Sequence, residues 1–171
     1  DGGGGNTKGD KAISYALQAS EKIYMTVAVG VRNAGGHSSR PSKDNAIYQL
    51  SAALVRLAGY DFPVRLNEVT RGSFAAMADL SEGQKSTDMK AIANGAAGGA
   101  DFDAAAARIS ENDYYNASLR TTCVATMLRG GHAENALPQL AEATINCRML
   151  PDADPEQVKA KILEVLDDPA I

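Results

Sequence analysis

Residues Arg129–Pro138 read Arg-Gly-Gly-His-Ala-Glu-Asn-Ala-Leu-Pro and lie between two segments that have the patterns of β-strands. The segment from Thr121 to Leu128 is rich in β-branched and apolar residues and has no helical period. After the loop, the odd-numbered residues from Ala141 to Met149 are apolar and the even-numbered residues between them are polar. This alternation is the period of a strand with one buried face. Two glycines and a proline between two strands predict a wide hairpin loop.

The loop of this hairpin is longer than a turn requires. Most hairpins need only about two to five loop residues, and this loop has about nine. Long loops on a rigid sheet commonly carry binding groups, so Asn135, together with His132 and Glu134, is a candidate for a binding role. A surface loop without function is an equally good interpretation of this stretch taken alone.

Upstream of the hairpin, the chain predicts two further strands and a helix. Apolar residues alternate with polar ones from Ile13 and again from Ile23, with a polar turn between the two runs. A Gly-rich loop, Asn33–Pro41, follows, and Ser42 can cap the next helix. That helix has an apolar face at three- and four-residue steps and ends near Gly59. The face comprises Ala46, Ile47, Leu50, Ala53, Leu54, Leu57 and Ala58.

A second helix follows the hairpin. Asp154 and Gln157 have the spacing of a capping box, and Pro155 fits the first helical position. The order strand, helix, insertion, strand, strand, helix predicts an α+β fold of ferredoxin type. This is a two-layer sandwich with an antiparallel sheet, two helices on one face and a helical insertion. A final strand after Ile171 would complete it.

Two segments lie outside this pattern. Ala-rich pieces at Ser73–Leu80, Ser86–Ala93 and Phe102–Ile109 predict short helices within an insertion at about residues 60–118. The glycine run near the N-terminus lacks the Gly-Lys-Ser/Thr ending of a phosphate-binding loop, so it predicts a flexible linker. We therefore expect a hinge or linker over residues 1–11 and one domain over residues 12–171.

Composition excludes several classes of function. A hydrophobic content of 44% with 22% charged residues is typical of a globular protein. The net charge of −4 and the 5% aromatic content argue against a nucleic-acid-binding surface. No apolar run approaches the ~20 residues of a membrane span. The two cysteines, Cys123 and Cys147, are expected to face each other on adjacent strands as buried, reduced thiols, because disulfides between adjacent strands are strained.

The titratable residues do not form a complete catalytic set. The sequence contains no His-x-x-Glu-His or His-Glu-x-x-His zinc motif and no recognisable Ser-His-Asp arrangement. His37 lies in the Gly-rich loop, where a histidine with no function is the more common case. Arg148 lies on the polar face of its strand, where it is either an ordinary exposed arginine or a clamp for a carboxylate.

Three segments resemble the lid, or dimerisation, domain of the zinc exopeptidases of metallopeptidase family 20. They are Gly35-Gly36-His37-Ser38-Ser39-Arg40-Pro41, the loop Arg129–Pro138, and Ile145-Asn146-Cys147-Arg148-Met149-Leu150-Pro151. The family includes aminoacylases and carboxypeptidases. Arg120-Thr121-Thr122 and Asp167-Asp168-Pro169 look most like the carboxypeptidase S and N-acyl-amino-acid hydrolase branch.

The resemblance implies a role for each site residue. The parent enzyme would hold two zinc ions in a separate catalytic domain, with no metal bound by this segment, and a metal-bound water would attack the amide carbonyl. His37 would stabilise the oxyanion, usually from the partner subunit. Asn135 would bind the substrate, and Arg148 would bind its terminal carboxylate. The implied partners are the catalytic domain, a second copy of the lid and a peptide or N-acyl-amino-acid substrate.

Two other functions stay open on periodicity alone. The chain fits a stand-alone ferredoxin-like module that dimerises and binds a small ligand. It also fits a pure self-association module that uses an exposed edge strand.

Overall fold

The computed structural model describes residues 3–171, so Asp1 and Gly2 of the expected linker lie outside the described residues. Within this range none of the helices has the length and apolar character needed to cross a membrane. The strands are β1 (Gly3–Lys8), β2 (Lys11–Leu17), β3 (Ile23–Arg32), β4 (Gly36–His37), β5 (Thr122–Gly130), β6 (Ala136–Leu137) and β7 (Leu140–Met149). The helices are α1 (Ala46–Ala58), α2 (Glu68–Asp79), α3 (Gly83–Asn94), α4 (Ala100–Ile109), α5 (Asp113–Leu119) and α6 (Pro155–Leu166).

The chain divides into two compact units, and the first holds the predicted hairpin. This unit, which we call the sheet unit, comprises Ile23–Val64 and Arg120–Ile171. Its antiparallel sheet has the order β3-β7-β5, with β7 in the centre. The predicted order of strands and helices along the chain is confirmed, and the molecule has an α+β architecture with small antiparallel sheets.

The alternation of β7 separates the two faces of this sheet. All five odd-numbered residues from Ala141 to Met149 are buried, as the period of the sequence predicted. They pack with apolar side chains of α1 and α6 in one core, so both helices cover the same face. The contributions of the helices are Ala46, Leu50, Ala53 and Leu57 from α1, and Val158, Ile162 and Leu166 from α6. The other face of the sheet presents Glu142 and Arg148 to solvent.

Polar side chains cap the N-terminal ends of α1 and α6. The predicted cap at Ser42 is wrong, because the helix begins later and the side chain of Asn45 accepts from the N–H of Ile47 over 2.9 Å. Asp154 caps α6 as predicted and accepts from the N–H of Glu156 over 2.9 Å. These caps satisfy backbone donors that the first turn of a helix leaves without partners.

The expectation of reduced thiols is wrong. Cys123 and Cys147 are direct partners in the register of β5 and β7, as predicted, but they form a disulfide. Their Cα atoms lie 4.1 Å apart, which is close enough for a bond without any movement of the strands. The bond joins β5 and β7 near the end of the hairpin that lies farthest from the Arg129–Pro138 loop.

The second unit, the helical unit, comprises the segment ending at Lys22 together with Arg65–Leu119. Gly3–Lys8 pairs with β2 as an antiparallel strand through a turn at Gly9, which has a φ of 62°. Gly3, Gly4 and Gly5 therefore belong to a strand, whereas their composition predicted a flexible coil. Its function as a hinge stays a prediction.

Four helices form the rest of the helical unit. The three predicted Ala-rich helices are present as α2, α3 and α4, whereas α5 was not predicted. The guanidinium of Arg108 donates to both carboxylate oxygens of Asp88, over 2.9 and 2.6 Å. The Arg71 guanidinium donates to carbonyl oxygens at the end of α3, including that of Gly95 over 2.8 Å. These bonds connect α4 to α3 and α2 to the end of α3.

Candidate functional site

Two loops that are distant in the sequence meet at one end of the sheet unit. The short strands β4 and β6 pair, with Gly36 opposite Leu137 and His37 opposite Ala136. Beyond this pair, the N–H of Ser38 donates to the carbonyl oxygen of Asn135 over 2.9 Å. The structure therefore brings His37 and Asn135, two of the three predicted site residues, into neighbouring positions. We call these paired segments the loop pair.

Further bonds hold the loop pair together. The N–H of Asn33 donates to the carbonyl oxygen of Gln139 over 3.0 Å, and the side-chain amide of Gln139 donates to the carbonyl oxygen of Ala34 over 3.3 Å. Gly35 has a φ of 73°, and a Cβ atom there would lie 2.7 Å from Cγ of Gln139. Only glycine allows this approach without strain. Glycine at position 35 is therefore required by the close approach of the two loops.

The side chains of the loop pair are available to a ligand. His37 and Asn135 are both exposed, and within residues 3–171 the Asn135 carboxamide has no hydrogen-bond partner. The His37 ring lies beside Ser39, whose hydroxyl oxygen is 2.8 Å from Nδ1. A cavity of about 540 Å³ opens here. Its lining is Gly35, Gly36, His37, Ser39, Arg40, Ser42 and Leu137.

Arg148, the third predicted residue, lies at the opposite end of β7. In the sheet register it is opposite Tyr24 and Thr122, whereas Leu140 at the loop end is opposite Arg32. Arg148 is eight positions after Leu140, which is about 26 Å of extended strand. Within one copy, the structure therefore does not bring Arg148 to the loop pair.

The guanidinium of Arg148 is held on the exposed face of the sheet. Its Cζ atom lies 4.9 Å from the centroid of the Tyr24 ring. This stacking leaves the N–H groups at the edge of the guanidinium free to meet a carboxylate. The sequence alternation placed Arg148 on this face, but the contribution of Tyr24 was missed because it depends on the pairing of β3 with β7.

The described residues do not fit a metal site. Among residues 3–171 no three His, Cys, Asp or Glu side chains are grouped so that they could hold a metal ion. His132 is exposed on the hairpin loop, and both cysteines are bonded to each other.

A family model of the M20 peptidase dimerisation domain matches residues 19–171, which is most of the chain. The chain belongs to the M20 peptidase dimerisation domain family. It is similar to the N-fatty-acyl-amino acid synthase/hydrolase PM20D1 of Mus musculus, with 32% identity over 151 residues. This match covers 88% of the chain and 28% of the mouse protein.

Two other relatives agree with this membership. The chain is 25% identical over 152 residues to a probable carboxypeptidase S-like 1 of Dictyostelium discoideum, covering 88% of the chain and 26% of that protein. Among solved structures, it resembles the M20 family metallo-carboxypeptidase Sso-CP2 from Sulfolobus solfataricus, with a TM-score of 0.50 and 17% identity. That likeness covers 86% of the chain and 35% of the carboxypeptidase, and it concerns the fold alone. The chain spans less than a third of the curated relatives' length.

Proposed function

We propose that this chain is the lid of a zinc-dependent exopeptidase or N-acyl-amino-acid hydrolase, and that it binds the substrate while a separate domain holds two zinc ions. The observation that carries the proposal is the loop pair, in which backbone pairing brings the segment of His37 next to the segment of Asn135 at one end of the sheet. The relatives named above include an N-fatty-acyl-amino acid synthase/hydrolase and a probable carboxypeptidase S-like protein. Residues 12–171 would form the lid, with an insertion at about 60–118, and residues 1–11 would form the hinge.

The strand order of the sheet unit agrees with a ferredoxin-like topology, which we propose for the lid. The order β3-β7-β5 with α1 and α6 on one face corresponds to the first three strands and both helices of that fold. A fourth strand beside β3 would complete the sheet. This arrangement leaves β5 as the edge strand on the other side.

Each site residue has a chemical group that suits its proposed role. The imidazole N–H of His37 would donate to the oxygen that becomes negative when the amide carbonyl is attacked. The Asn135 carboxamide can both donate to and accept from a substrate amide. The guanidinium of Arg148 would bind the substrate carboxylate through two parallel bonds. Closure of the lid would exclude water and strengthen all three interactions.

A two-fold dimer would bring Arg148 to the loop pair of a second copy. If two β5 strands pair antiparallel, the Thr122 end of one strand lies beside the Gly130 end of the other. Arg148 is the register partner of Thr122 in the same copy. It would then lie two strand spacings, about 10 Å, from the second copy's hairpin loop. We therefore propose that His37 and Asn135 act in the pocket that contains Arg148 of the other subunit.

The exposed side chains of β5 are suited to an interface between two β5 strands, which we call the β5 seam. Val124, Met127 and Leu128 are 58%, 52% and 62% exposed, although they are large and apolar. The register of β5 shifts between Ala125 and Met127, so part of the strand turns its apolar residues away from the core. An edge strand with exposed apolar residues readily pairs with another strand. A second copy is the occupant that the family's dimerisation function favours.

The proposal is tested by His37→Ala in the full-length parent enzyme. We expect kcat to fall roughly 10²–10³-fold, the usual effect of losing an oxyanion donor. Zinc content should not change, because the metal ligands are elsewhere. Lys159→Ala is the control, because Lys159 is exposed on α6 away from the loop pair, and it should leave kcat near the wild-type value. An unchanged kcat in His37→Ala would contradict the proposal.

A module for self-association alone is the competing function. The exposed apolar side chains of β5 favour it, because self-association alone accounts for them without an active site. The two functions differ in the His37→Ala experiment, because a pure dimerisation module would tolerate that change with full activity.

A further inference from the structure

The immediate surroundings of His37 determine which ring nitrogen carries its proton. The backbone N–H of Ser39 donates to Nδ1 over 3.2 Å. The hydroxyl oxygen of the same residue lies 2.8 Å from Nδ1. An N–H group can donate only to a nitrogen with a free lone pair, so Nδ1 is the unprotonated nitrogen. In the neutral ring the proton is therefore on Nε2.

A turn holds Ser39 in this position. The N–H of Arg40 donates to the carbonyl oxygen of His37 over 2.9 Å, which closes a β-turn over residues 37–40. The strand pairing of His37 with Ala136 fixes the start of the turn. Rotation of the imidazole away from Ser39 would break its bonds at Nδ1 without a replacement in the described part of the chain.

We infer that Ser39 is a positioning residue that holds His37 with Nδ1 as an acceptor and Nε2–H as the free donor. Within residues 3–171, Nε2 has no hydrogen-bond partner, and both residues line the 540 Å³ cavity. A fixed N–H donor pointing at a ligand is what a developing oxyanion requires. The opposite tautomer would present a lone pair and repel the negative charge. This inference rests on the proposed role of His37 and names the residue that prepares it.

The tautomer can be measured without activity. Long-range ¹⁵N–¹H correlation spectra of the chain at alkaline pH distinguish a protonated ring nitrogen from an unprotonated one. We expect His37 to show an unprotonated Nδ1 and a protonated Nε2. Ser39→Ala should shift this pattern toward a mixture of tautomers, and Ser39→Thr, which keeps the hydroxyl, should restore it. A His37 with its proton on Nδ1 in the wild type would overturn the inference.

Kinetics of the full-length parent enzyme give a second test. Ser39→Ala should lower kcat about tenfold, less than the loss of the imidazole, because the backbone N–H remains. KM and zinc content should stay unchanged, and Ser39→Thr should restore kcat to within about twofold. Ser38→Ala is the matched control, since that residue contributes only its backbone N–H to the loop pair.

The two proposals fail in different ways. If His37→Ala leaves kcat unchanged, the proposed function is wrong, whatever the spectra show. If His37→Ala lowers kcat while Ser39→Ala changes neither kcat nor the tautomer, the function stands and the role of Ser39 is wrong.

Discussion

The N–H of Ser38 donates to the carbonyl oxygen of Asn135 over 2.9 Å, and this bond joins two loops that the sequence separates by a helix, an insertion and a strand. Because it is a backbone bond, it does not use the carboxamide of Asn135 or the imidazole of His37. Both side chains therefore stay available for a ligand while their backbones are fixed.

The first prediction concerns Gly35, which allows the two loops to approach. In Gly35→Ala the new Cβ would lie 3.0 Å from the carbonyl oxygen of Leu137 and 2.7 Å from Cγ of Gln139, at a φ of 73°. We expect the free energy of unfolding to fall by about 2–3 kcal/mol, with a strained backbone and a steric contact both contributing.

Gly131→Ala is the matched control for this change. Gly131 has a φ of 80°, but a Cβ atom there would meet nothing within 4 Å. Gly131→Ala should lower the free energy of unfolding by only about 1 kcal/mol, because it strains the backbone without a steric contact. Equal losses in both variants, measured by urea unfolding, would show that the close approach of the loops has no energetic effect.

The second prediction concerns the disulfide between Cys123 and Cys147. Protein denatured without a reductant should contain no free thiol, and reduction should release two per chain. The bond closes a loop with a sequence separation of 24, for which the chain-entropy model gives roughly 3–4 kcal/mol of stabilisation. A double Cys→Ala variant should therefore unfold at a lower denaturant concentration. Two free thiols in the unreduced protein would contradict the structure.

The third prediction concerns pH and the Asp88–Arg108 pair. The hydrogen bond from Arg108 lowers the pKa of Asp88, against the opposing effect of burial. A lowered pKa in the folded state stabilises the protein above the ordinary Asp pKa of about 3.9, and this stabilisation is lost as pH falls through the folded value.

Asp88→Asn and Arg108→Gln test this linkage. The loss of unfolding free energy in each variant should be constant above about pH 5 and shrink below about pH 4. The double variant should lose less than the sum of the single variants, because the two residues are in contact. A loss independent of pH would show that the ion pair does not stabilise the fold.

The fourth prediction concerns the edge of β5. Val124→Lys places a charge on the proposed seam and should convert a dimer into a monomer in sedimentation velocity experiments. Leu163→Lys is the control, because Leu163 is also exposed and apolar but lies on α6. A dimer that survives Val124→Lys, or is lost equally in both variants, would contradict the β5 seam.

The sequence predicted those parts of the fold that depend on local chemistry. The alternation of β7 placed every odd-numbered residue in the core, and Asp154 with Pro155 marked the start of α6. Composition predicted secondary structure less well where the pairing of distant strands determines it. The glycines of β1 form a strand because β2 supplies hydrogen-bond partners, which no local pattern shows.

The site was predictable only in part for the same reason. Two Gly-rich loops with a histidine and an asparagine were visible, but their pairing is a long-range contact without a local signal. The distance between Arg148 and Asn135 could be predicted from the sequence, because most of the residues between them belong to one extended strand. The oxidation state of the two cysteines could not be predicted, because the strand register shows that they are close but not whether they form a disulfide.

The most direct test of the central claim is to mix His37→Ala and Arg148→Ala subunits of the full-length parent enzyme. If the two residues act in one pocket from different subunits, random exchange makes about half of the dimers mixed, and each mixed dimer has one intact site. We predict that the mixture recovers about a quarter of wild-type activity, although each variant alone is nearly inactive. A mixture no more active than its parents, with subunit exchange confirmed, would contradict the account.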